Sequence, residues 1–299
     1  MSFPFFGESL ELNETTRAAA DGSFVSLPDG VMHYELGSPL HEGEGKGVRE
    51  VVVLVHGFSV PYYIFDPTFD FLTQAGFHVL RYDLFGRGWS DRPETDYTIG
   101  VFVRQLRDLL DALDLRGPVS LVGLSMGGPV TAAFTARHPE RVSRNVWIDP
   151  AGVHAVTLPG LRLLQLPLVG EMALGLGGEQ MIKGAAEGFF DPQIVAEFQE
   201  RYRVQMQFKG FRRAILSTMR NGMLGDFSET YRHVGALGKP AQLFWGREDA
   251  TVPFTYSADL LKWVPQAEFH AFDGCGHAPH LERPDEFNRL LSKFLSHSI

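Results

Sequence analysis

Residues 119–130 read Val-Ser-Leu-Val-Gly-Leu-Ser-Met-Gly-Gly-Pro-Val, and the run changes character at Ser125. Before it lies an apolar, β-branched stretch, Val119 to Leu124, of the kind that fills a strand buried on both faces. After it comes a helical stretch, Pro129 to Arg137. Gly123-Leu124-Ser125-Met126-Gly127 therefore fits G-x-S-x-G in a strand–turn–helix context. A turn that sharp lifts the serine above the sheet edge, and its flanking residues must be small. Gly123, Gly127 and Gly128 meet that demand, and the helix N-terminus favours negative charge developing nearby. Ser125 is the candidate nucleophile. A glycine-rich turn that happens to contain a serine is the plain alternative. A dinucleotide fingerprint is excluded by spacing, because Gly123, Gly127 and Gly128 do not form G-x-G-x-x-G.

Outward from this stretch, further strand runs appear at Val31–Leu36, Val48–Val55, Phe77–Asp83, Asn145–Asp149, Pro240–Trp245 and Ala267–Phe272. His41 to Gly47 reads as a hairpin loop. Helical spacing of Phe102, Leu106, Leu109, Leu110 and Leu113 predicts one amphipathic helix. Phe287 to Leu295, opened by Pro284 and Asp285, predicts another. Alternating strands and helices imply a mostly parallel sheet covered on both sides. The alternation breaks between about Pro150 and Gly238. That span exceeds an ordinary pair of crossover helices and reads as an inserted helical lid, with helical patterns at Ile194–Met206 and Phe211–Met219. The expected organisation is core in residues 1–150, helical cap in 151–237 and core again in 238–299.

The loops after the strands carry the remaining chemistry. His277 lies in Asp273-Gly-Cys-Gly-His277-Ala-Pro-His280, directly after the last strand run. An imidazole on such a loop suits taking and returning a proton. His280, near the final helix, is expected to pack or cap. His277-x-x-His280 is not a metal spacing, so no metal is expected. Asp249, after the preceding strand, is positioned to accept the other imidazole N–H. Glu248 and Asp149 are its alternatives, and a surface turn is the plain reading of the acidic pair. The order Ser125, Asp249, His277 suits an acyl-transfer triad. The N–H groups of Phe58, in His56-Gly57-Phe58, and of Met126 are the candidate oxyanion donors. His56 is expected to brace that loop. Asp83 and the glycines of Gly86-Arg87-Gly88 read as structural, and Cys275 as a small loop residue.

Bulk properties narrow the class. The net charge of -9 over 299 residues, with no basic run, excludes a nucleic-acid partner. The single cysteine allows no intrachain disulfide. No apolar run is long enough for a bilayer span, and the N-terminal stretch lacks a signal-peptide pattern, so a cytoplasmic protein without membrane insertion is expected. Oligomeric state is not encoded in any motif.

Together VLVHGF, RYDLFGRGWSDRP, LVGLSMGGPV, WGREDATVP and GCGHAPHLERP resemble the α/β-hydrolase superfamily over about residues 30–297. Within it, they resemble the capped group of bacterial carboxylesterases, monoacylglycerol lipases and carbon–carbon bond hydrolases. The resemblance implies a mostly parallel sheet of about eight strands with flanking helices and an inserted helical cap, no cofactor, and catalysis through an acyl-enzyme. It sets aside dehalogenases and epoxide hydrolases, which carry aspartate at the elbow. The carbon–carbon hydrolases typically carry asparagine before the nucleophile, where this chain has Leu124. The expected reaction is hydrolysis of short- to medium-chain acyl or aryl esters, including monoacylglycerols. The alternatives are carbon–carbon cleavage of vinylogous diketones, with Arg162, Arg201, Arg203, Arg212 or Arg213 holding a carboxylate, and a cofactor-free perhydrolase of haloperoxidase type. A non-catalytic binder on the same scaffold would lack a triad member, and none is missing. The cap leucines Leu158, Leu161, Leu163, Leu164, Leu166 and Leu168, with Met172, Phe189 and Phe190, are expected to pack the cap on the core, the remainder lining an acyl pocket.

Overall fold

The computed structural model describes residues 5–38, 50–157, 160–186, 188–189 and 192–297. Its helices and strands, short 3₁₀ turns aside, run as follows: α1 (Glu14–Arg17), β1 (Ser23–Leu27), β2 (Gly30–Gly37), β3 (Val51–Val55), α2 (Asp66–Gln74), β4 (His78–Tyr82), α3 (Ile99–Ala112), β5 (Val119–Leu124), α4 (Gly127–Arg137) and β6 (Val142–Ile148). Five helices follow without a strand: α5 (Leu161–Leu164), α6 (Val169–Leu176), α7 (Gly178–Ala186), α8 (Pro192–Gln205) and α9 (Phe211–Arg220). The chain then closes with α10 (Ser228–Ala236), β7 (Ala241–Gly246), α11 (Ser257–Trp263), β8 (Ala267–Phe272), α12 (Pro279–Glu282) and α13 (Pro284–Ser296).

The strands form one eight-stranded sheet in the order β1-β2-β4-β3-β5-β6-β7-β8. β1 and β2 pair antiparallel, as do β2 and β4, and every other pairing is parallel. The chain leaves β3 to one side for β4 and returns to its other side for β5. That reversal opens a crevice at the carboxyl ends of β3 and β5, where open α/β sheets place their ligands.

Alternation along β3 shows why both faces are covered. Val52 and Leu54 point into a cluster with Phe69, Leu72, Phe287 and Leu291, from α2 and α13. Val53 and Val55 point into another, with Phe102, Leu106 and Val130, from α3 and α4. α4 is buried from Gly127 to Thr135, so it packs on all sides and needs no polar face.

Two predicted strands, Val119–Leu124 and Ala267–Phe272, coincide with β5 and β8. Strand β1, at the sheet edge, is absent from the sequence expectation, and its half-exposed residues explain the weak signal. The expected hairpin at His41–Gly47 lies outside the described residues, as do Leu158 and Phe190. α10 falls inside the stretch expected to be cap, yet it packs on the core. Tyr231 meets Trp147 edge-on and donates a hydrogen bond to Ala151 O at 2.8 Å. One expectation is corrected outright. Leu163, Leu166, Leu168 and Met172 are not buried against the core but exposed, Leu168 at 67%. Leu163 lies on α5, Leu166 and Leu168 in the connection to α6, and Met172 on α6, while Leu174 of α6 turns inward. No helix among the described residues is long and apolar enough to cross a membrane.

Candidate active site

Ser125 follows β5 directly, with φ at 52°, a left-handed conformation that L-residues adopt only under constraint. Three backbone bonds hold it there. Its N–H donates to Ile148 O at 2.9 Å, and its carbonyl accepts from the N–H groups of Gly128 and Ala151 at 2.9 and 3.0 Å. The neighbouring glycines are sterically required. A Cβ on Gly127 would collide with Val55 O, and one on Gly123 with Gly127 O. A Cβ on Gly57 would stand 3.2 Å from the Ser125 Cβ, which places the His56–Phe58 loop against the serine.

That loop is fixed from behind. The fully buried His56 accepts the Leu84 N–H at Nε2 (2.9 Å), which leaves Nδ1–H to donate to Gly57 O, also at 2.9 Å. Burial pushes its pKa down to about 4, so the ring is neutral. With the Gly57 carbonyl pinned, the N–H of the same peptide unit, that of Phe58, points the opposite way. The Phe58 carbonyl in turn accepts from Nε of the buried Arg87 at 2.8 Å. The same guanidinium donates to Phe85 O and to Thr218 Oγ1 of α9. Asp83 ties the neighbouring segments together. Its oxygens accept from the N–H groups of Tyr62 and Trp89 and pair with His33 Nδ1 at 2.7 Å. Although burial opposes it, the His33 contact holds the Asp83 pKa below its usual value.

His277 and Asp249 are brought together. Asp249 Oδ2 lies 2.7 Å from His277 Nδ1, and its Oδ1 accepts from the N–H groups of Thr251 and Val252. Glu248 is engaged elsewhere, accepting the Cys275 N–H at 3.0 Å and so bracing the histidine loop. Asp149, the other alternative, lies beside Asp249 and is fully buried. Among the described residues, Asp149, Asp249 and His277 are the one group of three metal-ligating side chains close enough to share an ion. Hydrogen bonds within the protein already account for both Asp249 oxygens and His277 Nδ1. His280 packs on Phe65 and Phe287 with Nε2 3.1 Å from Ile64 O, and burial lowers its pKa to about 3. Burial raises the Cys275 thiol pKa, so it is no nucleophile.

Ser125, Asp249 and His277 thus leave the carboxyl ends of β5, β7 and β8. Two contributors escape a reading of the sequence. Arg87 reads there as part of a structural loop. Gly188, in the stretch between β6 and β7, accepts the His277 N–H at its carbonyl at 2.6 Å. Neither contact has a sequence signal, since each joins positions far apart in the chain.

An eight-stranded, mostly parallel sheet bearing an elbow serine and a carboxylate-supported imidazole defines a hydrolase of the α/β class. The chain belongs to the alpha/beta hydrolase family, whose model matches residues 52–290. It is 30% identical over 309 aligned residues to a 2-hydroxy-6-oxononadienedioate/2-hydroxy-6-oxononatrienedioate hydrolase of Dechloromonas aromatica, covering 95% of this chain and 99% of that protein. Among solved structures, it matches the meta-cleavage product hydrolase of Pseudomonas fluorescens at TM-score 0.72 and 25% identity, covering 91% of this chain and 97% of that one. The enol-lactonase of Burkholderia xenovorans superposes at TM-score 0.77 with 20% identity, covering 92% and 100%, a likeness of fold.

Proposed function

We propose that the protein is a serine hydrolase that breaks a carbon–carbon bond beside a ketone in a ring-fission product, through an acyl-enzyme on Ser125. The observation that carries this is the full-length similarity to the Dechloromonas hydrolase, which spans core, inserted segment and all three candidate catalytic residues. In this reading His277 takes the Ser125 proton as Oγ attacks the ketone, and the N–H groups of Phe58 and Met126 hold the oxyanion. The carbon–carbon bond then breaks. Its electron pair moves into the adjoining keto-enol system, and the imidazolium returns the proton to that carbon fragment. Water attacks the acyl-enzyme by the same route and releases a carboxylic acid. Asp249 orients His277 and stabilises its charged form.

Ester hydrolysis, in which an alkoxide leaves instead, is the second reading, and a specific observation favours it. A ring-fission diacid needs a cation to receive a carboxylate, and four of the five candidate arginines are engaged elsewhere. Arg201 pairs with Asp66, Arg203 with Glu179 and Arg212 with Glu8, while Arg213 donates to the carbonyls of Arg92 and Pro93. Arg162 is exposed. Leu124 before the nucleophile points the same way.

The two readings separate in one experiment. Purified protein is given 2-hydroxy-6-oxononadienedioate, the keto diacid named for the Dechloromonas hydrolase, followed by loss of its visible absorbance, and in parallel p-nitrophenyl esters of graded chain length. The expected result is a kcat/KM for the ring-fission product that exceeds the best ester by at least about tenfold. Ser125→Ala should lower kcat about 10⁴–10⁶-fold on either substrate with the fold intact. Ester turnover without ring-fission cleavage would transfer the assignment to the esterase reading, and undiminished activity in Ser125→Ala would sink both.

A further inference from the structure

Asp149 stands one residue past the end of β6, in a left-handed conformation with φ at 42° and no exposed surface. Its Oδ1 accepts the Gly246 N–H at 2.9 Å. Its Oδ2 is buried and has no hydrogen-bond partner of ordinary geometry. Asp249 is its neighbour. One ligating atom each from Asp149, Asp249 and His277 lie within 4.8 Å of one another. Beside a neutral imidazole, two carboxylates in so small a buried space cannot both be ionised, because like charges at that separation in a dry interior repel strongly.

The hydrogen bonds say which carboxyl gives way. Asp249 acts as acceptor at both oxygens, toward Thr251 N, Val252 N and His277 Nδ1. Asp149 accepts one. The other groups facing Asp149 do not relieve it. Glu282 of α12 adds further negative charge from a buried position, and the Cys275 thiol is kept neutral by burial. Burial first, and the Asp249 charge second, hold the Asp149 pKa well above the ordinary carboxyl range.

We propose that Asp149 is a second, protonated carboxyl of the catalytic site. It shares its proton with Asp249, and it takes over as the anion beside His277 when Asp249 is removed. It is a positioning residue, since it acts on the reacting atoms only through Asp249 and His277. The proposal rests on the serine-hydrolase reading. When Asp249 is absent, Asp149 releases its proton to solvent, and the carboxylate left behind stabilises the imidazolium.

The test measures the rate at which an alkyl fluorophosphonate phosphonylates Ser125, followed by intact mass. In that reaction Oγ bonds to phosphorus and fluoride leaves, so no knowledge of the natural substrate is needed. Rates are compared across pH for wild type, Asp249→Ala, Asp149→Asn, the double variant and Ser125→Ala. Asparagine suits the left-handed backbone at 149 and holds no removable charge. The expected result is a loss of about 10²-fold or less in Asp249→Ala and about 10⁴-fold in the double variant. In Asp249→Ala the rate should rise with pH along a limb that the double variant lacks. Should Asp249→Ala fail to fold, the infrared band of a protonated carboxyl at neutral pH, present in wild type and lost in Asp149→Asn, decides the matter. A rate in Asp249→Ala already as low as in the double variant overturns the proposal, as does an unchanged band in Asp149→Asn. Labelling of Ser125→Ala at the wild-type rate would instead sink the serine-hydrolase reading itself.

Discussion

The substitution His56→Gln should exchange stability at neutral pH for stability in acid. The wild-type imidazole is fully buried, and both ring nitrogens are in hydrogen bonds that suit only the neutral ring, with Nε2 accepting from Leu84 N. Burial lowers its pKa from 6.5 to about 4, against a smaller opposing pull from Asp83. A histidine whose folded pKa is depressed binds its proton more readily when unfolded. Its contribution to stability is therefore complete above pH 6.5 and is lost as pH falls toward 4. The loss amounts to about 1.4 kcal/mol per pH unit across that window, or about 3 kcal/mol in all. The carbonyl of the substituted glutamine can still accept the Leu84 N–H, but Gly57 O is left without its donor, a cost of about 1–2 kcal/mol at neutral pH. The wild-type advantage should thus vanish near pH 5, and the variant should be the more stable protein near pH 4. Urea unfolding midpoints for both proteins, at unit intervals from about pH 7 to about pH 4, measure this directly. Comparing the pair cancels other titrating groups remote from His56, such as Glu8 and Glu50, that also shift in the folded protein. Stability curves that stay parallel across the window would refute the argument.

Two further substitutions probe how the stretch between β6 and β7 meets the candidate site. Thr218→Val keeps the shape of the side chain but removes the acceptor that Arg87 uses at 2.8 Å, leaving a buried guanidinium N–H unpaired. It should cost about 1.5–3 kcal/mol in denaturant unfolding and lower kcat, because Arg87 also holds the Phe58 carbonyl. A loss of stability within about 0.5 kcal/mol of zero would show that water replaces the threonine. Gly188→Ala would bring a Cβ to 2.8 Å from Thr251 Oγ1 and 3.0 Å from the His277 Cβ. It should lower the rate of Ser125 acylation about tenfold or more by displacing the imidazole, with an unchanged melting temperature. Unaltered acylation would mean that the Gly188 contact does not position His277.

The local features of the sequence determined the class of the protein. Val119–Leu124, with Gly123 in it, followed by Ser125, Gly127 and Gly128 specifies a strand, a left-handed turn and a helix within a dozen residues. Those preferences are local: β-branched packing, the absence of a Cβ, and the helix start. The parallel sheet was legible for the same reason, as its buried strands read as unbroken apolar runs. Edge strand β1 and the short helices α2, α10 and α11 were not, since half-exposed or short elements carry little periodicity.

Tertiary structure alone decided the rest. Asp249 and Glu248 are adjacent carboxylates that the sequence separates only by position. The structure gives one to His277 and the other to the Cys275 N–H. Asp149, at the end of a different strand, is drawn against Asp249 by the pairing of β6 with β7, and its protonation state follows from that proximity and from burial. The exposure of Leu163, Leu166, Leu168 and Met172 likewise depends on how α5, α6 and the connection between them are placed, not on hydrophobicity. Local chemistry is written residue by residue. Which buried group meets which partner, and so which of them bears a charge, depends on contacts between segments distant in the chain, and those exist only once the sheet and its helices have closed around them.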